Sequence, residues 1–228
     1  MYTVSVVIPC YQDEQVLKRL LIQLCALKNP PLEVIVVDGA HQENCRELCG
    51  TYGASWLPAV PCRGRQLQVG AAKARGAVLW FLHADACLPA DPLSALRLAL
   101  VQGALGGYFR FSFNLTGNWS ARLLEKAIAW RCRMGVPYGD QGIFVRRESY
   151  FLAGGHGPWP LFEEVPLVHN LRKLGRFRSL PEPLLIDPRR WQRDGWWRRT
   201  WQNRKLALGY MCGVSPDKLA RRYLSAKK

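Results

Sequence analysis

The sequence predicts an α/β fold in which a mixed, mainly parallel sheet is flanked by helices and followed by a basic, tryptophan-rich helical tail. Three observations predict it. From Val4 to Leu88, short apolar β-branched runs alternate with leucine patterns at helical spacing. The run from Ala77 to Leu88 (AVLWFLHADACL) ends in His83, Ala84 and Asp85, as expected of a buried central strand that delivers polar groups at its carboxyl end. The last forty residues carry twelve Lys/Arg against only Asp194 and Asp217, so the basic character belongs to an appendage.

Val4 to Pro9 (VSVVIP) reads as the first strand, with Cys10, Tyr11, Gln12, Asp13 and Glu14 in the loop after it. Leu17, Leu20, Leu21 and Leu24 give the next helix one buried face. Leu32 to Val37 is a second strand ending at Asp38 and Gly39. A helix from about Gln42 to Tyr52, a strand from Ala54 to Leu57 and a helix from about Gln66 to Arg75 lead back to the central run. Right-handed crossovers then bring Tyr11 with Asp13, Asp38, and Asp85 to one edge of the sheet, where ligands bind in open α/β sheets. Before the third helix, Arg63, Gly64 and Arg65 offer backbone N–H groups and guanidinium forks to a phosphate. Neither a Walker loop nor a GxGxxG turn is present, which removes the main support for ATPase and NAD readings.

The second half is less regular. A helix around Leu93 to Val101 precedes Gly106 to Phe113, which alternates like a strand at a sheet edge, and a helix from about Ser120 to Cys132 follows. Tyr138, Gly139, Asp140 and Gln141 set a carboxylate at the start of a strand from Ile143 to Val145. Gly154, Gly155, Gly157, Pro158 and Pro160 form a loop suited to covering a ligand, and Phe162, Glu163 and Glu164 open a helix running to about Leu174. Acids are favoured in a first helical turn by the macrodipole alone, so their position does not by itself assign a role.

The chain has 228 residues and a formal charge of +15, with 49% hydrophobic and 21% charged residues, the composition of a globular protein. Arg97 and Arg110 interrupt the longest apolar candidate for a membrane span. Met1 leads directly into a strand, so a cytoplasmic protein without a signal peptide is expected. The eight cysteines are scattered, and Cys45 and Cys49 lack a second close pair to complete a zinc site, so free buried thiols are expected. Tail residues Trp196 to Tyr210 can form a helix with apolar and basic sides that would place the protein peripherally on an anionic membrane surface. Concentration of charge in the tail argues against a chain built on nucleic acid.

Seven motifs, IPCYQDE, VVDGA, RGRQLQVGAAKARG, LHAD, YGDQGIFVRR, a GG followed by EE, and RRW, resemble in order and spacing the family 2 glycosyltransferases of the GT-A fold from about Val4 to Trp191. LHAD, GDQG and RRW resemble more narrowly a compact bacterial subgroup, some of whose members are assigned to arsenosugar biosynthesis. The resemblance implies a GT-A domain over 1–190 and a helical extension over 191–228. It implies an inverting, metal-assisted transfer of a sugar from a nucleotide-diphosphate donor, UDP-linked, to a hydroxyl acceptor. Pro9, Tyr11 and Asp38 would hold the base and ribose with Asp13 or Glu14 nearby, Arg63 would face uridine or diphosphate, and Asp85, the last acid of DxD, would bind Mg²⁺ or Mn²⁺ beside His83. Glu163 and Glu164 match the ED pair whose second acid is the base, with Asp140 the next candidate. Gln141, Arg189, Arg190 and Trp191 would serve acceptor and diphosphate. The chain departs from the family at His83, which stands at the first acid of DxD. Gln12 and Asp13 stand for Asn and Glu, Glu164 stands for Asp with Pro166 following, and no Gln precedes Arg189. Two other readings are a catalytically inactive nucleotide-sugar-binding relative and a polyanion-binding module that uses the basic tail.

Overall fold

The computed structural model describes residues 2–225. Strands β1 (Val4–Cys10), β2 (Glu33–Asp38), β3 (Ser55–Pro58) and β4 (Val78–Phe81) are joined by helices α1 (Glu14–Cys25), α2 (Glu43–Thr51) and α3 (Arg63–Lys73). All four strands run parallel, and their register sets Cys10 opposite Asp38 and Asp38 opposite Pro58. The polar loops after β1, β2 and β4 therefore open at one edge. Alternate β1 residues divide between two cores. Val4, Val6, Ile8 and Cys10 pack under α1 and α2, whereas Val7 packs under α3.

The chain continues through β5 (Ala86–Cys87), α4 (Pro92–Val101), β6 (Gly106–Phe113), α5 (Trp119–Met134), a 3₁₀ turn at Gly139–Gln141, β7 (Phe144–Arg146), α6 (Arg147–Leu152), α7 (Glu164–Leu174) and β8 (Phe177–Ile186). Among the described residues the strands form one sheet in the order β3-β2-β1-β4-β7-β6-β8-β5. β7 runs antiparallel to β4 and β6, while β8 runs parallel to β6 and antiparallel to β5.

Four local expectations are corrected. The Ala77–Leu88 run is not one strand: β4 stops at Phe81, Ala86 N–H bonds the His83 carbonyl at 3.1 Å in a turn, and Ala86–Cys87 leaves to pair with Ile186 and Leu185. β6 is not an edge strand but lies between β7 and β8, and its one exposed residue, Arg110, sits at a bulge where the register jumps from Leu180 to Pro183. α3 begins at Arg63, so Arg63 and Gly64 belong to its first turn and not to the preceding loop. Asp140 lies in the 3₁₀ turn, ahead of β7, because Gly142 takes a left-handed φ of 58° and closes that turn before the strand begins.

The tail folds back as α8 (Arg189–Asp194), α9 (Trp196–Met211) and α10 (Pro216–Ser225). Its tryptophans divide by role. Trp191 and Trp196 pack edge-on against Phe113 of β6, whereas Trp197 and Trp201 are exposed. Arg199 is buried and ties α9 to both neighbouring segments, bonding Asp194 at 3.3 Å and the Tyr223 hydroxyl at 2.7 Å. Among the described residues no helix is long and apolar enough to cross a membrane.

Candidate active site

The turn after β4, the 3₁₀ turn before β7 and the entry to α7 meet above the parallel strands. Phe162 has φ 62°, a left-handed conformation that strains a non-glycine residue by about 1–3 kcal/mol. The two acids that follow it have separate partners. Glu163, 0% exposed, accepts two hydrogen bonds from Arg63, Nε to Oε1 at 2.5 Å and Nη2 to Oε2 at 2.9 Å. Glu164, 2% exposed, accepts a single bond from Gly139 N–H at 3.2 Å through Oε1, while its Oε2 is buried without a hydrogen-bond partner.

Their protonation diverges accordingly. Burial works to raise the Glu163 carboxyl, but the Arg63 charge and hydrogen bonds outweigh it and hold Glu163 below the usual carboxylate range. Glu164 has no such partner, so burial first, and then the negative charge of Glu163, push it up to about 8. Two neighbouring carboxyls whose environments drive them apart in this way are the arrangement from which acid and base roles are assigned.

The loop over 154–163 is laid onto the start of α3. Gly64 N–H bonds the Trp159 carbonyl at 3.1 Å, Gly157 N–H bonds the Glu163 carbonyl at 2.7 Å, and Gln68 bonds the His156 carbonyl at 2.6 Å. A Cβ on Gly64 would collide with the Gly157 carbonyl oxygen, so the close approach that brings Arg63 to Glu163 requires glycine there. His156, buried beneath, bonds the Tyr150 hydroxyl at 3.1 Å, and burial pushes its imidazole down to about 4, which keeps it neutral.

His83 Nε2 and Asp140 Oδ1 are buried without hydrogen-bond partners. Burial lowers the His83 pKa and Arg63 lowers it further, whereas burial raises Asp140 against the pull of His83 and Arg131. Asp85, half-buried, acts electrostatically on both and lines a cavity of about 330 Å³ with Arg19, Asn114, Asp187 and Gln192. This donor chemistry fits a hard divalent cation. Among the described residues, however, His83, Asp85 and Asp140 do not converge as a ready-made ligand set. One carboxylate plus the oxygens of a diphosphate is the usual way such an ion is held.

Of the remaining expected residues, Tyr11 and Asp13 are exposed at the same edge and Pro9 is half-buried behind them. Asp38 is fully buried, and its carboxylate accepts Ala40 N–H and Gln42 N–H at 2.8 Å each and the Trp56 indole at 3.3 Å. Gln141 is buried too, its side-chain oxygen bonded to Tyr138 N–H and the Cys132 thiol. Arg189 is exposed and pairs with Asp187 at 3.6 Å, and Trp191 is packed on Phe111 and Phe113. The Arg190 side chain lies outside the described residues.

Two residues at the site were not expected from the sequence. Tyr210 of α9 stacks on Phe162 with ring centroids 5.0 Å apart and lies within reach of the Glu164 charge, so the tail walls the site. Arg131 of α5 lies 4.0 Å over the Tyr138 ring. Neither contact has a local sequence signal, because both join segments that only the tertiary fold brings together.

The model of glycosyl transferase family 2 matches residues 5–153. Among solved structures, glucosyl-3-phosphoglycerate synthase from Mycobacterium tuberculosis, in complex with Mn²⁺, UDP and glucosyl-3-phosphoglycerate, superposes with a TM-score of 0.60 at 19% identity, over 81% of this chain and 71% of that one. The same enzyme with Mn²⁺ and UDP-glucose gives 0.60 at 19% identity, over 81% and 70%. Mannosyl-3-phosphoglycerate synthase from Rubrobacter xylanophilus gives 0.60 at 14%, over 82% of this chain and 66% of that one. At such identities the likeness is one of fold. No curated protein matches the chain.

Glu164 makes stability depend on pH in a direction of its own. The folded state keeps this proton to about pH 8, whereas an unfolded glutamate releases it in the ordinary carboxylate range, so ionisation opposes folding as pH rises through that window. Glu164→Gln removes the titration. Its melting temperature relative to the wild type should therefore rise between pH 5 and pH 9 in a thermal melt series, and parallel profiles would show that Glu164 is not held protonated.

Proposed function

The chain belongs to glycosyl transferase family 2, and on that premise we propose that it transfers a sugar from a UDP-linked donor to a hydroxyl acceptor with inversion at the anomeric centre. The observation that carries this reading is the division between the acids: Glu163 neutralised by Arg63, and Glu164 beside it with a free buried oxygen and a carboxyl pushed up to about 8. Once ionised, as it becomes when pH rises towards 8, a carboxylate with that affinity holds the proton of an incoming hydroxyl far better than an ordinary carboxylate does. Attack from the Glu164 side on the face opposite the departing diphosphate is a direct displacement, which inverts the configuration.

Tyr11 and Asp13, with Pro9 behind them, would flank the base and ribose at the strand edge, and Asp38 would support that wall through the turn it holds. Arg63, its fork occupied by Glu163, would set the position of that acid while its charge opposes ionisation of His83. Asp85, with His83 and Asp140 behind it, would hold Mg²⁺ or Mn²⁺, which when bound neutralises charge on the leaving diphosphate. The UDP and Mn²⁺ in the structures that share this fold support the choice of donor and metal. UDP release from a panel of UDP-sugars with Mn²⁺ tests the activity, and calorimetry with UDP tests the metal. Asp85→Ala should abolish Mn²⁺-dependent UDP binding without changing the melting temperature, and unchanged affinity would remove Asp85 from that role.

An anionic bilayer is the proposed second partner. Trp119 of α5 and Trp197 of α9 lie with their rings 6.0 Å apart, and both are exposed together with Trp130 and Trp201 on the surface of a chain of charge +15. The protein should sediment with anionic vesicles at low salt, and Trp197→Ser/Trp201→Ser should weaken this. Failure of the wild type to sediment would refute the membrane partner and leave the transfer reading intact.

A further inference from the structure

Behind the donor edge, on the opposite side of β1 from α3, a group of soft ligand atoms converges that the transfer reaction does not use. Cys10 is the last residue of β1, and Cys45 and Cys49 lie one turn apart on α2. All three are buried, and none is in a disulfide. Glu14 opens α1 and turns its carboxylate inward, with Oε1 buried and without a hydrogen-bond partner. The Cys10 sulfur, the Cys45 sulfur and a Glu14 oxygen all lie within 4.8 Å of one another.

A buried carboxylate oxygen left unpaired is costly, and a core designed only for packing would not set it against two thiols. Glu14 and Cys45 both lie in the first turns of their helices, so the partial positive charge of two N-termini falls on the cluster.

We propose that Cys10, Cys45 and Glu14 form a binding site for a thiophilic divalent metal ion of the Zn²⁺ class, separate from the site at Asp85. Sulfur ligation selects it against Mg²⁺ and Mn²⁺, which the oxygen donors of the other site would take. Binding replaces thiol protons by metal, so protons leave as the ion enters. The position gives the ion a structural consequence. The Cys10 carbonyl accepts Gly39 N–H at 2.9 Å and Gln66 Nε2 at 2.8 Å, so an ion on its sulfur braces the loops after β1 and β2 that flank the donor edge.

Co²⁺ serves as the spectroscopic probe. Titration of the reduced, metal-free full-length protein should give one equivalent bound, with thiolate-to-cobalt charge-transfer absorption and the intense visible bands of a tetrahedral site, and Zn²⁺ should displace them. A Cys25→Ser/Cys212→Ser variant, which changes only exposed cysteines, should retain the bands. Cys45→Ser should lose them, and Glu14→Gln, which keeps the size and shape of the side chain, should weaken binding about tenfold or more. Absence of charge-transfer bands in the wild type, or their persistence in Cys45→Ser, would overturn the proposal.

Discussion

Arg63 and Glu163 make the pairing on which the site depends. They are 100 residues apart in sequence, and their bidentate contact joins the first turn of α3 to the strained entry of α7. Because Arg63 neutralises Glu163, a second carboxylate can sit directly beside it inside the protein. Without that guanidinium, two buried acids at adjacent positions would repel, and loss of one partner from such a pair typically costs about 3–5 kcal/mol. The same charge sets the contrast between the acids: what lowers Glu163 reaches Glu164 only weakly, and Glu164 is left with its proton held to about pH 8. Gly64 permits the contact, since a side chain there would push the 154–163 loop away from α3.

The sheet supplies the other half of the geometry. Parallel strands β1, β2 and β4 open their loops at one edge, and antiparallel β7 returns the chain so that Gly139 and Asp140 stand next to the turn carrying His83 and Asp85. The tail completes the enclosure. Trp191 and Trp196 anchor it on Phe113, and Tyr210 then closes over Phe162 beside Glu164. A segment that reads as a basic appendage thus also forms part of the wall that keeps Glu164 dry.

The parallel half of the fold was legible because its signals are local: β-branched runs, leucines at helical spacing and polar strand ends. β8 was not, because Pro181 and Pro183 break the pattern of a strand. The structure accommodates them at the bulge opposite Arg110, where ladder bonds are already interrupted. β5 is two residues long, too short to carry a period. At the site, the acids at 163 and 164 could be singled out by motif, but their opposite protonation could not, since it depends on an arginine and a glycine amide from distant segments. The cysteines looked scattered for the same reason, as strand end and helix meet only in the folded chain.

The central claim is that Arg63 divides two adjacent acids so that Glu164, and not Glu163, takes the acceptor proton. Its most direct test is kcat at saturating donor and acceptor for Glu164→Gln and Glu163→Gln, with donor affinity measured alongside. The account predicts a loss of about 10² to 10⁴ in kcat for Glu164→Gln with donor binding retained, and for Glu163→Gln an effect mainly on acceptor KM. A full kcat in Glu164→Gln would contradict it.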